Sequence, residues 1–422
     1  MDTIRCSNPT GTASPLAKWT AGKRTRSATA PTPSANLWQD ALAELWQDRG
    51  FGLYVHWPFC AAKCPYCDFN SHVRSAVDQT KWADALAQEI LRTGGETGPR
   101  VLTSIFFGGG TPSLMEPETV KTVLDAAREV WVFANDIEIT LEANPTSVEA
   151  HRFEGYANHG VNRVSLGVQA LDPDDLRALG RLHTVDEAQT AFQTARTFFD
   201  RVSFDLIYAR QNQSLDNWER ELTTALNMAV DHLSLYQLTI EEGTAFWDRA
   251  QRGILRGLPS DDLGADLYDL TQRLCDDAGY EAYEVSNHAK SGAESKHNLL
   301  YWRGGDYAGI GPGAHGRLTR DGQRMATECW KQPEAWLKAV TEGTGIKDAL
   351  LLPPLDVEDE RLIMGLRLNE GLLIDDVTAI IDRARLETLT VDGLIWQQDS
   401  RIGATPKGRP VLNYLIAQLA KS

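Results

Sequence analysis

Three cysteines, Cys60, Cys64 and Cys67, stand in the run FGLYVHWPFCAAKCPYCDFNSH. Soft thiolates grouped this closely on one loop suit iron or zinc. A cuboidal iron-sulfur cluster of four irons, held by only three thiolates, keeps one iron open for chemistry. A zinc knuckle would need a fourth ligand, for which His56 or His72 is at hand. Closed zinc sites commonly bring a second Cys/His pair further along, and none is evident here. The spacing therefore favours the cluster. Pro58 and Pro65 stiffen the loop, while Phe59, Tyr66 and Phe69 supply the apolar cover that a buried cluster requires.

Such a loop needs a rigid frame. From Phe51 onward, β-rich runs (LYVHW, VLTSIFF, IEITLE, RVSLGV, RVSFDLIY, HLSLYQLTI) alternate with amphipathic helical patterns such as WADALAQEIL, VKTVLDAAREVW, AQTAFQTARTFF and WERELTTALNM. Six β-α units predict an α/β fold with a parallel sheet curled into a full or partial barrel, its site at the C-terminal strand ends. In order, those ends offer the cysteine loop, Gly108-Gly109-Gly110-Thr111, Glu142, Gln169, Asp205, and Gln237 or Thr239. The glycines of FFGGGTPS leave backbone N–H groups open to a ligand, or else serve a tight strand-to-helix turn. The segment is no nucleotide P-loop, because Pro112 intervenes and the Lys-Ser/Thr pair is absent. Arg181, in LGRLHT, has two candidate partners: a ligand carboxylate, or one of Asp172, Asp174 and Asp175.

The 422 residues suffice for two or three domains, and a net charge of −16 disfavours nucleic acid or an anionic membrane as general partners. Cys6, Cys275 and Cys329 are scattered, so a disulfide framework is not expected and a reducing, cytoplasmic setting is. No stretch has the apolar length to span a bilayer, and the start lacks a secretory core. Residues 1–36, rich in Ser, Thr, Ala and Pro, read as a disordered extension. Their basic, acid-poor composition also fits an organelle transit peptide, although Pro9, Pro15, Pro31 and Pro33 interrupt any long helix there. Helical sequence begins at NLWQDALAELWQD. The expected organisation is an extension over 1–48, the barrel over 49–255, an α/β extension over 256–345 and a C-terminal domain over 346–422.

Taken together, YVHWPFCAAKCPYCDF, FFGGGTPS, LEANP, SLGVQ, LGRLHT, DLIY and GIGPGAH resemble the radical S-adenosylmethionine superfamily, and within it the oxygen-independent coproporphyrinogen III oxidase family, from about Gly52 to the C-terminus. The resemblance implies a partial (β/α)6 barrel. It also implies a 4Fe-4S cluster on Cys60, Cys64 and Cys67, with S-adenosylmethionine chelating the fourth iron. Tyr54, Gly109, Gly110, Thr111, Glu142, Gln169, Arg181 and Asp205 are the matching candidates to hold that cofactor. The chemistry so implied is cleavage of a carbon-sulfur bond to a 5′-deoxyadenosyl radical, with a flavodoxin or ferredoxin as the kind of electron donor expected. Within the same resemblance, GIGPGAH closes one side of the cofactor pocket, with Gly311 near the methyl end.

One position separates the branches of this family. The oxidases carry a further cysteine two residues after the third, where this chain reads Cys67-Asp68-Phe69. CDFNSH instead resembles the heme-chaperone branch, HemW, and so does His297-Asn298-Leu299-Leu300-Tyr301-Trp302. This implies heme as cargo and heme-acceptor proteins as partners. The alternatives are coproporphyrinogen III oxidation and radical chemistry on another substrate. His297 is the candidate heme ligand, with Tyr301 and Trp302 packing on the porphyrin or simply in the core, and His288, His315 and Cys329 as substitutes. After DLIY, Ala209-Arg210-Gln211-Asn212 replaces the commoner Gly-Leu-Pro-Gly. Near the C-terminus, LIWQQDSRIGATPKGRPVLNYLI looks like the wing of a winged helix. Acidic helices before it, and only Arg401, Lys407 and Arg409 on it, point to covering or docking rather than DNA binding.

Overall fold

The computed structural model describes residues 45–421. The extension over 1–36, Cys6 and most of the expected first helix lie outside those residues; the helix is described from Leu45–Arg49.

Six parallel strands occur in sequence order and in spatial order: β1 (Phe51–Trp57), β2 (Val101–Gly109), β3 (Val132–Ala143), β4 (Arg163–Gln169), β5 (Arg201–Tyr208) and β6 (His232–Gln237). Each matches one of the β-rich runs. Every residue of β1 is buried, because helices cover one face and the barrel interior the other. The crossover helices are amphipathic at helical spacing. The Gln79–Thr97 helix buries Trp82, Leu86, Ile90 and Thr93, and Asp78 caps its start by accepting from the Lys81 amide. Val185–Phe198 opens with a capping box between Thr184 and Glu187.

The arc does not close on itself. Beyond β6 lie the short antiparallel strands β7 (Glu281–Ala282) and β8 (Asn287–Ala289), with β8 against β6. The free edge of β1 is taken by β9 (Asp306–Ile310), which runs parallel to it. Then follow β10 (His315–Arg320), β11 (Gln323–Cys329) and β12 (Ile346–Leu351), all antiparallel. The result is a twelve-stranded sheet whose middle is a partial barrel. A buried ionic knot ties this edge to β2: Asp306 accepts from Arg100 at 2.6 Å, Arg324 at 2.9 Å and the Thr319 amide at 2.6 Å.

After β12 comes a unit with its own apolar core, including Val377, Ile380, Leu386, Leu389, Ile402 and Leu415. It contains the Pro354–Gly365, Arg383–Val391 and Leu412–Leu419 helices. A hairpin of Ile395–Gln398 with Arg401–Ala404 is joined on one side by Leu372–Leu373. Two of the three cations of the hairpin segment are hydrogen-bonded and the third is buried. Arg401 donates to the Glu370 carbonyl, Lys407 donates to the Asp392 carbonyl, and Arg409 is buried. No helix among the described residues is long and apolar enough to cross a membrane.

Candidate functional site

Beyond β1 the chain turns at Pro58 into the two-residue strand Phe59–Cys60, which pairs with His72–Val73 and so closes the cysteine loop at its base. Phe59 anchors it, edge-on to Trp57 and Trp82. The glycine end of β2 lies directly beneath: the Gly110 amide donates to the Trp57 carbonyl at 2.7 Å and the Thr111 amide to that of Phe59 at 2.8 Å. A Cβ on Gly110 would meet the Phe59 carbonyl oxygen at 2.6 Å, and one on Gly109, where φ is +108°, would meet the His56 ring at 2.7 Å. What these glycines admit first is therefore the chain's own backbone and imidazole, which sets the cysteine loop close to the strand ends.

A cleft opens above the C-terminal ends of the strands, with about 840 Å³ of atom-free space that merges into open solvent. Cys60, Cys64 and Cys67 line it, as do Gly109, Gly110, Thr111, Glu142, Gln169, Arg181 and Asp205. The sixth strand contributes Tyr236, not Gln237 or Thr239, because side chains alternate along a strand. Tyr54 and His297 are not brought to this cleft.

The sulfurs are embedded in a short hydrogen-bond chain. Thr111 Oγ1 donates to Cys60 Sγ at 3.4 Å, and Asn144 Nδ2 donates to Thr111 Oγ1 at 3.2 Å. Arg181 donates to Asn144 Oδ1 at 2.6 Å, to the Gly167 carbonyl at 2.7 Å and to Cys64 Sγ at 3.4 Å. Asn144 thus joins the groups that touch two of the three sulfurs. It is a site residue the sequence reading passed over: within LEANP the strand stops at Ala143, and one asparagine beyond a strand carries no pattern. The acids near Arg181 in sequence are occupied elsewhere: Asp172 caps its own helix, Asp174 pairs with Arg177, and Asp175 pairs with Arg210. Burial opposes the charge on Arg181, but Tyr66 and Cys64 outweigh it and hold the guanidinium firmly protonated.

The donor set fits a cluster with an organic ligand. Burial, and then the neighbouring Cys67 and Cys64, push the Cys60 thiol up to about 11, although Thr111 pulls the other way. Among the described residues no three His, Cys, Asp or Glu side chains are gathered into a single-ion site, but Cys60 feels both Cys67 and Cys64, and the positive charge of a cluster there would favour the thiolates. Hydrogen bonds such as those from Thr111 and Arg181 are the kind that tune a cluster through its sulfurs. Two buried polar atoms on the cleft wall, Gln169 Oε1 and Arg181 Nε, have no partner in the protein. Gln169 is also held at φ +72°, backbone strain of the sort found at functional sites. His56 is not offered to a metal, since Nδ1 meets Tyr54 Oη and Nε2 meets the Asn70 carbonyl, both at 2.9 Å.

His297 lies at the other end of the barrel interior and is 1 % exposed. Its Nδ1 meets Ser104 Oγ and its Nε2 meets Tyr301 Oη, each at 2.8 Å, and Phe106 stacks on the ring. Burial, then Arg163, lowers its pKa to about 3. A heme iron would have to displace one of these partners. The His297 backbone is nonetheless linked to the cleft. The His297 amide donates to Glu138, which faces Arg163 at 3.6 Å; Arg163 donates to Ser203, Ser203 to Ser165, and Ser165 to the cleft residue Asp205 at 3.3 Å. Of the substitutes, His288 and Cys329 are buried, and His315 lies on β10; none lines the cleft. The GIGPGAH turn packs behind the cysteine loop: Asn70 donates to the Pro312 carbonyl, and a Cβ on Gly311 would meet the His56 carbonyl oxygen at 2.3 Å.

Comparison with known proteins now bears on this cleft. Residues 54–224 match the radical SAM superfamily. A mouse protein named radical S-adenosyl methionine domain-containing protein 1, mitochondrial, is 43 % identical over 327 residues, covering 76 % of this chain and 74 % of its own. Heme chaperone HemW of Escherichia coli K12 is 41 % identical over 289 residues (68 % and 75 %), and HemW of Mycobacterium tuberculosis H37Rv 35 % over 379 (87 % and 94 %). The chain belongs to the HemW branch of the radical SAM superfamily. Its fold is also that of E. coli coproporphyrinogen III oxidase, HemN, with a TM-score of 0.73 over 96 % of this chain and 98 % of the other at 23 % identity. Family membership accounts for a cysteine loop set among polar strand ends.

Proposed function

We propose that this protein is a heme chaperone: it binds heme and passes it to acceptor proteins, while carrying a 4Fe-4S cluster and S-adenosylmethionine. The observation that carries this reading is the match to HemW proteins over most of the chain, joined to a cysteine loop that continues into Phe69. Cys60, Cys64 and Cys67 hold the cluster. Gly109, Gly110, Thr111, Glu142, Gln169, Arg181 and Asp205 hold S-adenosylmethionine, with the unpartnered Gln169 oxygen and Arg181 Nε as waiting contacts. When bound, the pair supplies one-electron chemistry at carbon. Asn144 fixes Thr111 and Arg181 against the sulfurs. Tyr54 acts from below, through His56. His297 reaches an iron only if Ser104 or Tyr301 withdraws, and otherwise braces the barrel interior.

The acceptor and the electron donor are proteins of a reducing compartment, the cytoplasm in this reading. The test is transfer: the anaerobically reconstituted, hemin-loaded chain is mixed with a heme-depleted acceptor preparation. Recovery of acceptor activity beyond that given by free hemin is expected. Formation of protoporphyrinogen IX from coproporphyrinogen III by the same sample would instead make it an oxidase.

A further inference from the structure

A second cleft lies away from the cysteines, between the barrel and the C-terminal unit. It encloses about 1040 Å³ of atom-free space. One wall is the end of the HNLLYW helix, Trp302 and Arg303; the opposite wall is Leu368, Leu372 and Leu373. Leu373 is 36 % exposed, so apolar surface faces the opening.

The charges around this space are arranged in two sets. Arg49 and Arg361 share one carboxylate, Asp376, with Arg361 at 3.5 Å. Arg303 and Arg401 share the other, Glu370, at 2.8 and 3.4 Å. Each set therefore carries one more positive charge than negative, in a chain whose net charge is −16; Asp48 at the rim is the remaining acid. Arg361 is the least satisfied of the four. Its side chain is 11 % exposed and holds the Asp376 contact alone, without a hydrogen bond. Burial, then Arg49, lowers its pKa to about 10, a cost that a further anion would relieve.

We infer that this second cleft is a binding site for a flat, apolar dicarboxylate, and, resting on the chaperone reading, that its occupant is heme. The ring lies against Leu373, over a floor whose buried members are Trp302, Leu368 and Leu372, and each propionate meets one arginine set. Guanidinium and carboxylate pair well in this way. None of the lining residues is His, Cys, Met or Tyr, so the iron gains no axial ligand from the wall. Heme held by its propionates and one face leaves the other face, and with it one axial position of the iron, to the acceptor. The site also gives the C-terminal ends of the HNLLYW motif a use that His297 at its other end does not share.

The test titrates the full, cluster-loaded chain with three probes: hemin, metal-free protoporphyrin IX and hemin dimethyl ester. The first two should bind with similar affinity, and the ester at least roughly tenfold more weakly, since it lacks both carboxylates. The double variant Arg303→Gln/Arg401→Gln, whose side chains lie at the rim, should lose about tenfold or more for hemin and nothing further for the ester. Ester binding equal to that of hemin overturns the site without recourse to any variant. So does unchanged hemin affinity in the double variant. If the wild-type chain takes up no hemin or porphyrin at all, the chaperone reading falls together with the site.

Discussion

At the scale of single residues, the cleft depends on contacts that leave no room for substitution. Gly110 lies against the Phe59 carbonyl, so Gly110→Ala forces the cysteine loop away from β2. The expected result is a folded protein that retains less than half its iron after anaerobic reconstitution, read by iron assay against circular dichroism. Asn144 differs in kind, because it touches no sulfur yet orients both groups that do. Asn144→Ala should keep the cluster but weaken S-adenosylmethionine binding by roughly tenfold, the value of one or two lost hydrogen bonds, measured by equilibrium dialysis. The cysteines were legible in the sequence because their spacing is a signal in itself. Asn144 was not: its role exists only once β3, β4 and the Arg181 loop have been brought together.

At the scale of elements, the six parallel strands could be read because each is an apolar β-rich run between amphipathic helices. The four strands added at the β1 edge could not. β9 reads DYAGI, short and carrying a glycine, and β12 reads IKDALL with five of its six residues exposed. Neither has the alternation or apolar run that marks a strand, and the parallel partner of β9, β1, is distant in sequence. Besides its pairing with β1 and its burial, β9 is held by ion pairs at Asp306. Removing the buried charge of Asp306 strands Arg100 and Arg324, so Asp306→Ala should cost about 3–5 kcal/mol in denaturant unfolding. The loop after β5 tells a complementary story. Ala209 and Asn212 have φ of +56° and +58°, at the two positions where glycine is commoner in the family. The backbone has kept a glycine-like turn, and Arg210 braces it with ion pairs to Asp175 and Glu221 at 2.6 and 2.5 Å. Ala209→Gly should therefore raise stability slightly, by about 0.5–1 kcal/mol, in the same measurement.

At the scale of the whole molecule, the interior holds several neutral histidines. Burial lowers His183 and His288 to about 4 and His297 to about 3, and takes His232 well below its ordinary value. Each stays unprotonated in the fold but takes up a proton near pH 6.5 once unfolded. Below that pH the unfolded chain binds more protons, so stability is full above it and is lost as pH falls toward 4, by up to about 1.4 kcal/mol per pH unit for each histidine. His297→Gln should flatten that slope by about one proton, read from urea unfolding between pH 6.5 and 4.5. Among the described residues, two clefts differ in character: cysteines line one and arginines the other. The measurement that bears most directly on its function is a hemin titration of the anaerobically reconstituted chain, followed by absorbance with the cluster band recorded on the same sample. Saturable binding of heme to the cluster-loaded protein is the predicted result. A complete cluster with only weak, unsaturable heme uptake would contradict the account and turn attention to a radical reaction on another substrate.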